Sequence, residues 1–417
     1  MGLVEAALCW SWSLPGRRRA GRLAALLPAL ALALTACGAA RVAPQAPPAP
    51  ERRVEAPPPG IVPAPPPPAS SRFEGKTVVA LLLPLSGQYA ETGNAMLYAA
   101  NLAVSDLGGD SFLLLPRDTR GTPDGAATAA REAVDAGARL ILGPLLAGNV
   151  SAAASAVRGS GVNIIGFSND RSVAGNGVFL MGFLPDAEVR RVIGYAAKQG
   201  MRRYGVLAPE TSYGRLVARA TEAAAARHGG AVPRGVTVGA AAGQAELEGA
   251  AGALASAGPF DGIMVPLWGE PLNRAAAALA AAGMGMPRTR LLGTSQWDQP
   301  TLSAEPALVG GWFAAPPPQT REEFARRYAD TYGSQPPRVA ALAYDATALA
   351  VALANQPGGT NYDVRALMTP RGFVGADGFF RFVSDGTAER GLAVMEVTPG
   401  GLRVVDPAPM RAEELIF

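Results

Sequence analysis

The chain has 417 residues but only two cysteines and one histidine. Cys9 and Cys37 both lie in the first tenth of the sequence, so the remainder offers no thiol nucleophile and no disulfide. A Ser-His-Asp triad or a His/Cys metal site would have to use His228, which stands in "ARHGG" at an expected helix end, where an imidazole commonly complements the dipole. The nucleophile-elbow pattern and the phosphate-loop pattern are both missing. "GNGVFLMG" does not open a helix after a strand and is no dinucleotide fingerprint. The acid pair Glu322 and Glu323 falls on an expected helix surface, as solvated charge. Charged residues make up only 17% of the chain. The formal charge of +3 is matched by four Arg and one Glu within residues 1–36, which leaves the remainder neutral and without a basic footprint for nucleic acid. No catalytic residue, cofactor or metal is expected; the chain reads as a binder, not an enzyme.

The amino-terminal stretch has Arg17, Arg18, Arg19 and Arg22, then the apolar run "LAALLPALALAL", then "LTAC" ending at Cys37. This is the layout of a secretory signal, with a run too short to span a bilayer comfortably. "LTAC" resembles the lipobox of bacterial lipoproteins. That resemblance implies removal of residues 1–36, lipid on Cys37 and a membrane anchor. Gly38 in place of an inner-membrane retention Asp points to the periplasmic face of the outer membrane. Residues 37–72 form a Pro-rich tether, in which polyproline conformation would reach on the order of 100 Å.

From Phe73 onward, short apolar runs alternate with helical patterns: "TVVALLLPL" before a helix at 91–106, "SFLLLP" before 123–136, "ARLILGP" before 148–157, then "VNIIGFS". The alternation restarts after Gly182, with helices expected at 187–199, 213–227, 246–257 and 271–282 between "YGVLAP", "GVTVG", "GIMVPLW" and "RLLGTS". Buried strands alternating with helices imply an α/β fold with parallel sheets, and the restart implies two doubly wound lobes. Lobe one is expected at about 73–184 and 315–385, lobe two at about 185–314 and 386–406, with several hinge crossings and a tail at 407–417.

In open α/β sheets ligands sit beyond the carboxyl ends of strands. The candidate cleft residues are therefore Ser86, Gly87 and Gln88, Gly143 and Pro144, Ser168 and Asn169, Trp268 and Glu270, and Gln296 and Trp297. Small residues allow close approach of the backbone, Ser and Asn offer hydrogen bonds, and the two indoles would make apolar walls. Ser86 is expected beside Ser168, opposite Trp268 and Trp297, with the following helix aiming its N-terminal N–H groups at the cleft.

The order of "LLPLSGQYAETG", "LILGPLLAGNVSAAA", "YGVLAPETSYGRLVA", "AYDATALA" and "GFVGADGFFRFVSDGTAERG" resembles the type I periplasmic-binding-protein fold, the group of the leucine/isoleucine/valine-binding proteins. In amino-acid binders of that fold a hydroxyl group holds the ligand carboxylate and a second-lobe acid holds its ammonium. Here Leu146 and Ala147 stand where the hydroxyl is expected, and Ser295 and Gln296 where the acid is expected. Burying a zwitterion without partners costs several kcal/mol. A free amino acid is thus disfavoured unless Asp298 or Glu270 substitutes. "GFSNDRSVAGNGVFLMGFLPDAEVRRVIGYAAKQG" and "LLGTSQWD", with the lipobox and the tether, resemble the LppC branch, the penicillin-binding protein activators. That resemblance implies a non-enzymatic envelope lipoprotein acting in peptidoglycan biogenesis, with a peptidoglycan synthase as partner. The alternative is the substrate-binding lipoprotein of an ABC importer, with a permease as partner and a small polar, amino-acid-like ligand.

Overall fold

A computed structural model describes residues 73–415 except 74, 300, 301, 303 and 358. The signal segment, Cys37 and the tether through residue 72 lie outside the described residues.

The first lobe is built from β1 (Thr77–Leu83), α1 (Ala90–Leu107), β2 (Phe112–Asp118), α2 (Pro123–Asp135), β3 (Leu140–Leu142), α3 (Ala147–Ala156), β4 (Asn163–Gly166) and β5 (Val178–Leu180). Its five strands are all parallel, in the order β2-β1-β3-β4-β5. Because strand side chains alternate between faces, Val79, Leu81 and Leu83 bury against α1, while Val78, Ala80 and Leu82 bury against α2 and α3. Both faces are covered, which is why the strand reads as one unbroken apolar run.

The second lobe follows with α4 (Pro185–Lys198), β6 (Arg203–Pro209), α5 (Ser212–Arg227), β7 (Ala231–Val238), α6 (Gln244–Ala255), β8 (Gly262–Met264), α7 (Gly269–Ala281), β9 (Arg290–Gly293) and β10 (Trp312–Ala315). The chain then returns to the first lobe through α8 (Pro318–Tyr332), α9 (Ala340–Ala354), the short α10 (Val364–Leu367) and an antiparallel sheet of β11 (Phe373–Gly375), β12 (Gly378–Phe382) and β13 (Ala388–Arg390). Leu342, Leu349, Phe380 and Phe382 from this return segment share one core with Leu81 and Met96. Finally β14 (Ala393–Thr398) and β15 (Gly401–Asp406) add antiparallel strands to the second sheet, whose order is β15-β14-β10-β9-β8-β6-β7.

Three crossings therefore join the lobes, at Leu180–Pro185, Ala315–Pro318 and Arg390–Ala393. The last lies a few residues later than the expected break at 385/386. The reason is that β13 pairs with β12 through Phe380↔Arg390 and stays with the first lobe. The helix expected to carry Glu322 and Glu323 on its surface begins at Pro318, a residue whose fixed φ suits the first helical position. The expected tail is held to the second lobe by Arg191, whose guanidinium donates to the carboxylate of Asp406 (2.7 Å) and the carbonyl of Pro407 (3.1 Å). His228 is the C-cap of α5.

Candidate functional site

A cavity of about 490 Å³ lies between the lobes. The first lobe contributes Tyr89 and Thr92 from the start of α1, Leu145 and Leu146 after β3, and Asn169 after β4. The first crossing contributes Phe183, and α9 contributes Val339 and Leu342, preceded by Arg338. The second lobe contributes Glu188 from the first turn of α4, Tyr213 from α5, and Ser295, Gln296, Asp298 and Gln299 after β9. The walls are thus aromatic and aliphatic, with polar groups converging from the strand ends.

Two carboxylates face this space, and their environments differ. Glu188 is only 3% exposed. Its Oε1 accepts the Ser295 hydroxyl (2.5 Å) and its Oε2 accepts the Ser295 amide (3.0 Å), but no cation pairs with it among the described residues. Burial pushes its pKa up from 4.5 to about 7, against the lowering effect of the Ser295 hydrogen bonds and of Arg338. Asp298, in contrast, is held between Arg321 and Arg338, the latter at 2.6 Å. Arg338 also donates to the Ser295 carbonyl (3.3 Å). Arg338 belongs to the segment packed on lobe one, while Asp298 and Ser295 belong to lobe two. These contacts tie the lobes together beside the cavity. The triad of Arg321, Asp298 and Arg338 carries one surplus positive charge. A buried acid without a cation and a half-exposed arginine thus border one space. That pattern suits a ligand with an amine at one end and an oxygen acceptor at the other.

The candidate residues divide. Asn169 and Gln296 line the cavity. Ser168 is 4% exposed, and its hydroxyl accepts the Asp170 amide (3.0 Å). The other placements are corrections. Ser86 turns to the end of β2: its hydroxyl donates to Asp118 Oδ2 (2.6 Å), while Asp118 Oδ1 accepts the amides of Leu85 (2.9 Å) and Arg120 (2.7 Å). Gly87, at φ +80°, makes the turn that sends the chain this way, and Gln88 is exposed outside the cavity. The cleft wall at this loop is Tyr89 and Thr92, so the first turn of α1 does border the cavity, through side chains.

Trp297 is fully buried in the core of lobe two, its Nε1 donating to the Val265 carbonyl (3.1 Å). A Cβ on Gly293 would stand 2.2 Å from its ring, so that glycine makes the room for the indole. Trp268 is 48% exposed outside the cavity and meets Tyr213 edge-on at 6.1 Å. Glu270 lies on the exposed first turn of α7, 3.8 Å from Arg274, and cannot take the place of the missing acid. Gly143 and Pro144 are backbone of the turn rather than cavity wall: at φ +85° a Cβ on Gly143 would lie 2.2 Å from the Leu82 carbonyl. The lining there passes to Leu145 and Leu146.

Glu188, Arg338 and Tyr213 are the functional candidates that the sequence reading did not single out. For Glu188 a signal existed. Positions 188, 189, 192, 193 and 196 form one helical face, and the other four are buried apolar residues of lobe two.

No curated protein matches the sequence. Among solved structures, the chain is similar to a putative branched-chain amino acid ABC transporter protein from Rhodospirillum rubrum, with a TM-score of 0.70 at 23% identity over 79% of this chain and 100% of that one. It is similar also to a solute-binding protein of an ABC transporter from Rhodopseudomonas palustris in complex with 3,4-dihydroxybenzoic acid (TM-score 0.61, 18% identity, covering 81% and 98%). A third is the branched-chain amino acid transporter substrate-binding protein LivJ from Streptococcus pneumoniae in complex with isoleucine (TM-score 0.56, 19% identity, covering 80% and 100%). These likenesses establish the two-lobe α/β fold. A family model described as periplasmic binding protein matches residues 76–401. The chain belongs to the periplasmic binding protein family, and with it to the exported proteins of the periplasm.

Proposed function

We propose that the protein is the substrate-binding component of an ABC importer, anchored by lipid on Cys37, and that it binds an amino-acid-like ligand without transforming it. The observation that carries this reading is the buried, cation-free carboxylate of Glu188 in the wall of the interlobe cavity. A protonated amine placed on Glu188 supplies the missing countercharge. The arginine side of the cavity, with its surplus positive charge, receives the ligand's acid end. This supplies from α4 the acid that sequence comparison seeks at Ser295 and Gln296; Ser295 instead orients it. Two of the solved relatives described above belong by their names to branched-chain amino acid transport, which supports the same ligand class.

Calorimetric titration of the purified chain with leucine, isoleucine and benzoate tests this. Amino acids bind and benzoate, which lacks an amine, binds far more weakly. Equal binding of benzoate and leucine would remove the role given to Glu188.

A second reading rests on Leu146, which makes the cavity wall apolar where amino-acid binders of this fold are expected to place a hydroxyl. In that reading the protein belongs to the penicillin-binding protein activators and contacts a peptidoglycan synthase. An empty cleft together with a synthase recovered by crosslinking in intact cells would favour it over the importer.

A further inference from the structure

Next to the inner cavity lies a second trough of about 520 Å³. The two spaces share Asn169, Pro185 and Tyr213, so Tyr213 stands at a junction and not at an end wall. We infer that the ligand is a short peptide, its amino terminus on Glu188 and its chain continuing past Tyr213 into this outer trough. The inference rests on the importer reading and narrows its substrate class.

Size is the first argument. The inner cavity alone falls within the range of about 300–1,000 Å³ that accommodates drug-sized ligands, and the outer trough roughly doubles it. A single amino acid would leave both largely wet.

Chemistry is the second argument. The outer trough has an apolar floor of Leu184, Leu216 and Ala220, suited to side chains. At the junction, the Asn169 carboxamide makes no hydrogen bond among the described residues. One carboxamide offers both a donor and an acceptor, the complement of a peptide group.

Charge is the third argument. Arg171 is paired with Asp186 (3.3 Å), which Arg190 also holds (2.5 Å). Arg219, on the outer wall, pairs with no carboxylate among the described residues. Arg219 is thus an exposed, unpaired cation in a trough that Asp170 also lines, and it is the group to which we assign a peptide's terminal carboxylate. Arg338, already engaged by Asp298, then donates to a peptide carbonyl near the amino terminus.

The test is calorimetry on the purified full chain with leucine, trileucine and trileucine amide. Trileucine binds at least tenfold more tightly than leucine, and amidation removes most of that gain. Leu216→Trp, which fills the trough, reduces the trileucine-to-leucine affinity ratio at least tenfold. Arg219→Gln abolishes the difference between trileucine and its amide. Leucine binding as tightly as trileucine, with the ratio unmoved by Leu216→Trp, overturns the peptide assignment. The importer reading survives that result, since it requires only that leucine bind and that Glu188→Gln weaken it. Binding of neither compound overturns both.

Discussion

Replacing Glu188 by Gln should make the protein more stable at alkaline pH and worse at binding. In the fold, burial raises the Glu188 pKa from 4.5 to about 7. The groups that set it are the Ser295 amide and hydroxyl, Arg338 across the cavity, and Asp186 on its own helix, while Tyr213 and Arg390 also feel its charge. With the folded value above the unfolded one, the folded state holds the extra proton. The stability contribution is fully present below pH 4.5 and is lost as pH rises through about 7. That displacement corresponds to about 3 kcal/mol.

Gln never ionises, so the variant escapes this loss. It keeps one oxygen to accept from Ser295 but presents an NH₂ to the other donor, at a cost of about 1 kcal/mol. Glu188→Gln should therefore be about 2 kcal/mol more stable than wild type near pH 8 and about 1 kcal/mol less stable near pH 4.5. Urea unfolding at the two pH values reads this swing directly. Losing a charge-assisted hydrogen bond of about 1.5–3 kcal/mol should weaken leucine binding roughly tenfold to a hundredfold. Stability curves of wild type and variant that run parallel from acid to alkaline pH would refute the reasoning. An unchanged leucine affinity would separate the acid from the ligand.

Trp297→Ala removes a fully buried indole from the lobe-two core and should cost about 3–5 kcal/mol in thermal unfolding, while leucine affinity in the surviving fold changes only a few-fold. An affinity loss with intact stability would return Trp297 to the cleft wall. Asp298→Ala strands Arg321 and Arg338; because both arginines are partly open to solvent, the expected cost is about 1–3 kcal/mol. The loss of this tie between the lobes should also increase the radius of gyration in solution scattering. Cys37→Ser should release the protein from membranes, since acyl chains supply about 0.8 kcal/mol per buried CH₂. A wild-type protein already in the soluble fraction would remove the anchor.

The sheets were legible because β1, β3 and β4 are buried on both faces and carry polar residues only at their first positions, Thr77 and Asn163. The site was legible only where a side chain projects freely from a strand end, as Asn169 and Gln296 do. Ser86 was not, because the parallel register sets Asp118 beside Leu83, and that carboxylate takes the serine hydroxyl. Spacing within one segment says nothing about that pairing. Trp297 was misplaced because the short turn at Ser295–Trp297 folds the indole back over Gly293, a tertiary preference that no local pattern carries. Glu188 went unnoticed for another reason: an acid in the first turn of a helix ordinarily answers the helix dipole, which hides one that is buried in a cavity wall.

The position of Glu188 joins binding to the hinge. It lies one turn into α4, directly after the first crossing, and its charge reaches Arg390, the last residue before the third. Arg390 is buried, donates to the Met181 carbonyl of the first crossing (2.5 Å), and stands over the ring of Phe183 at 4.5 Å. Its other neighbours are Asp377 and Asp345, two buried acids whose pKa values are raised first by desolvation. An amine that settles on Glu188 converts it to the carboxylate, and so adds one negative charge facing Arg390 and Arg338 together. Arg338 is also the residue that holds Asp298 across the lobes. A ligand without an amine leaves Glu188 only partly ionised near neutral pH and so adds less charge before the hinge arginines. Because coupling between two equilibria is reciprocal, a lobe arrangement that draws Arg338 and Arg390 toward Glu188 must also bind the amine more tightly. Under the amine binding proposed above, the charge of the ligand, and not only its shape, would help to set how the two lobes sit.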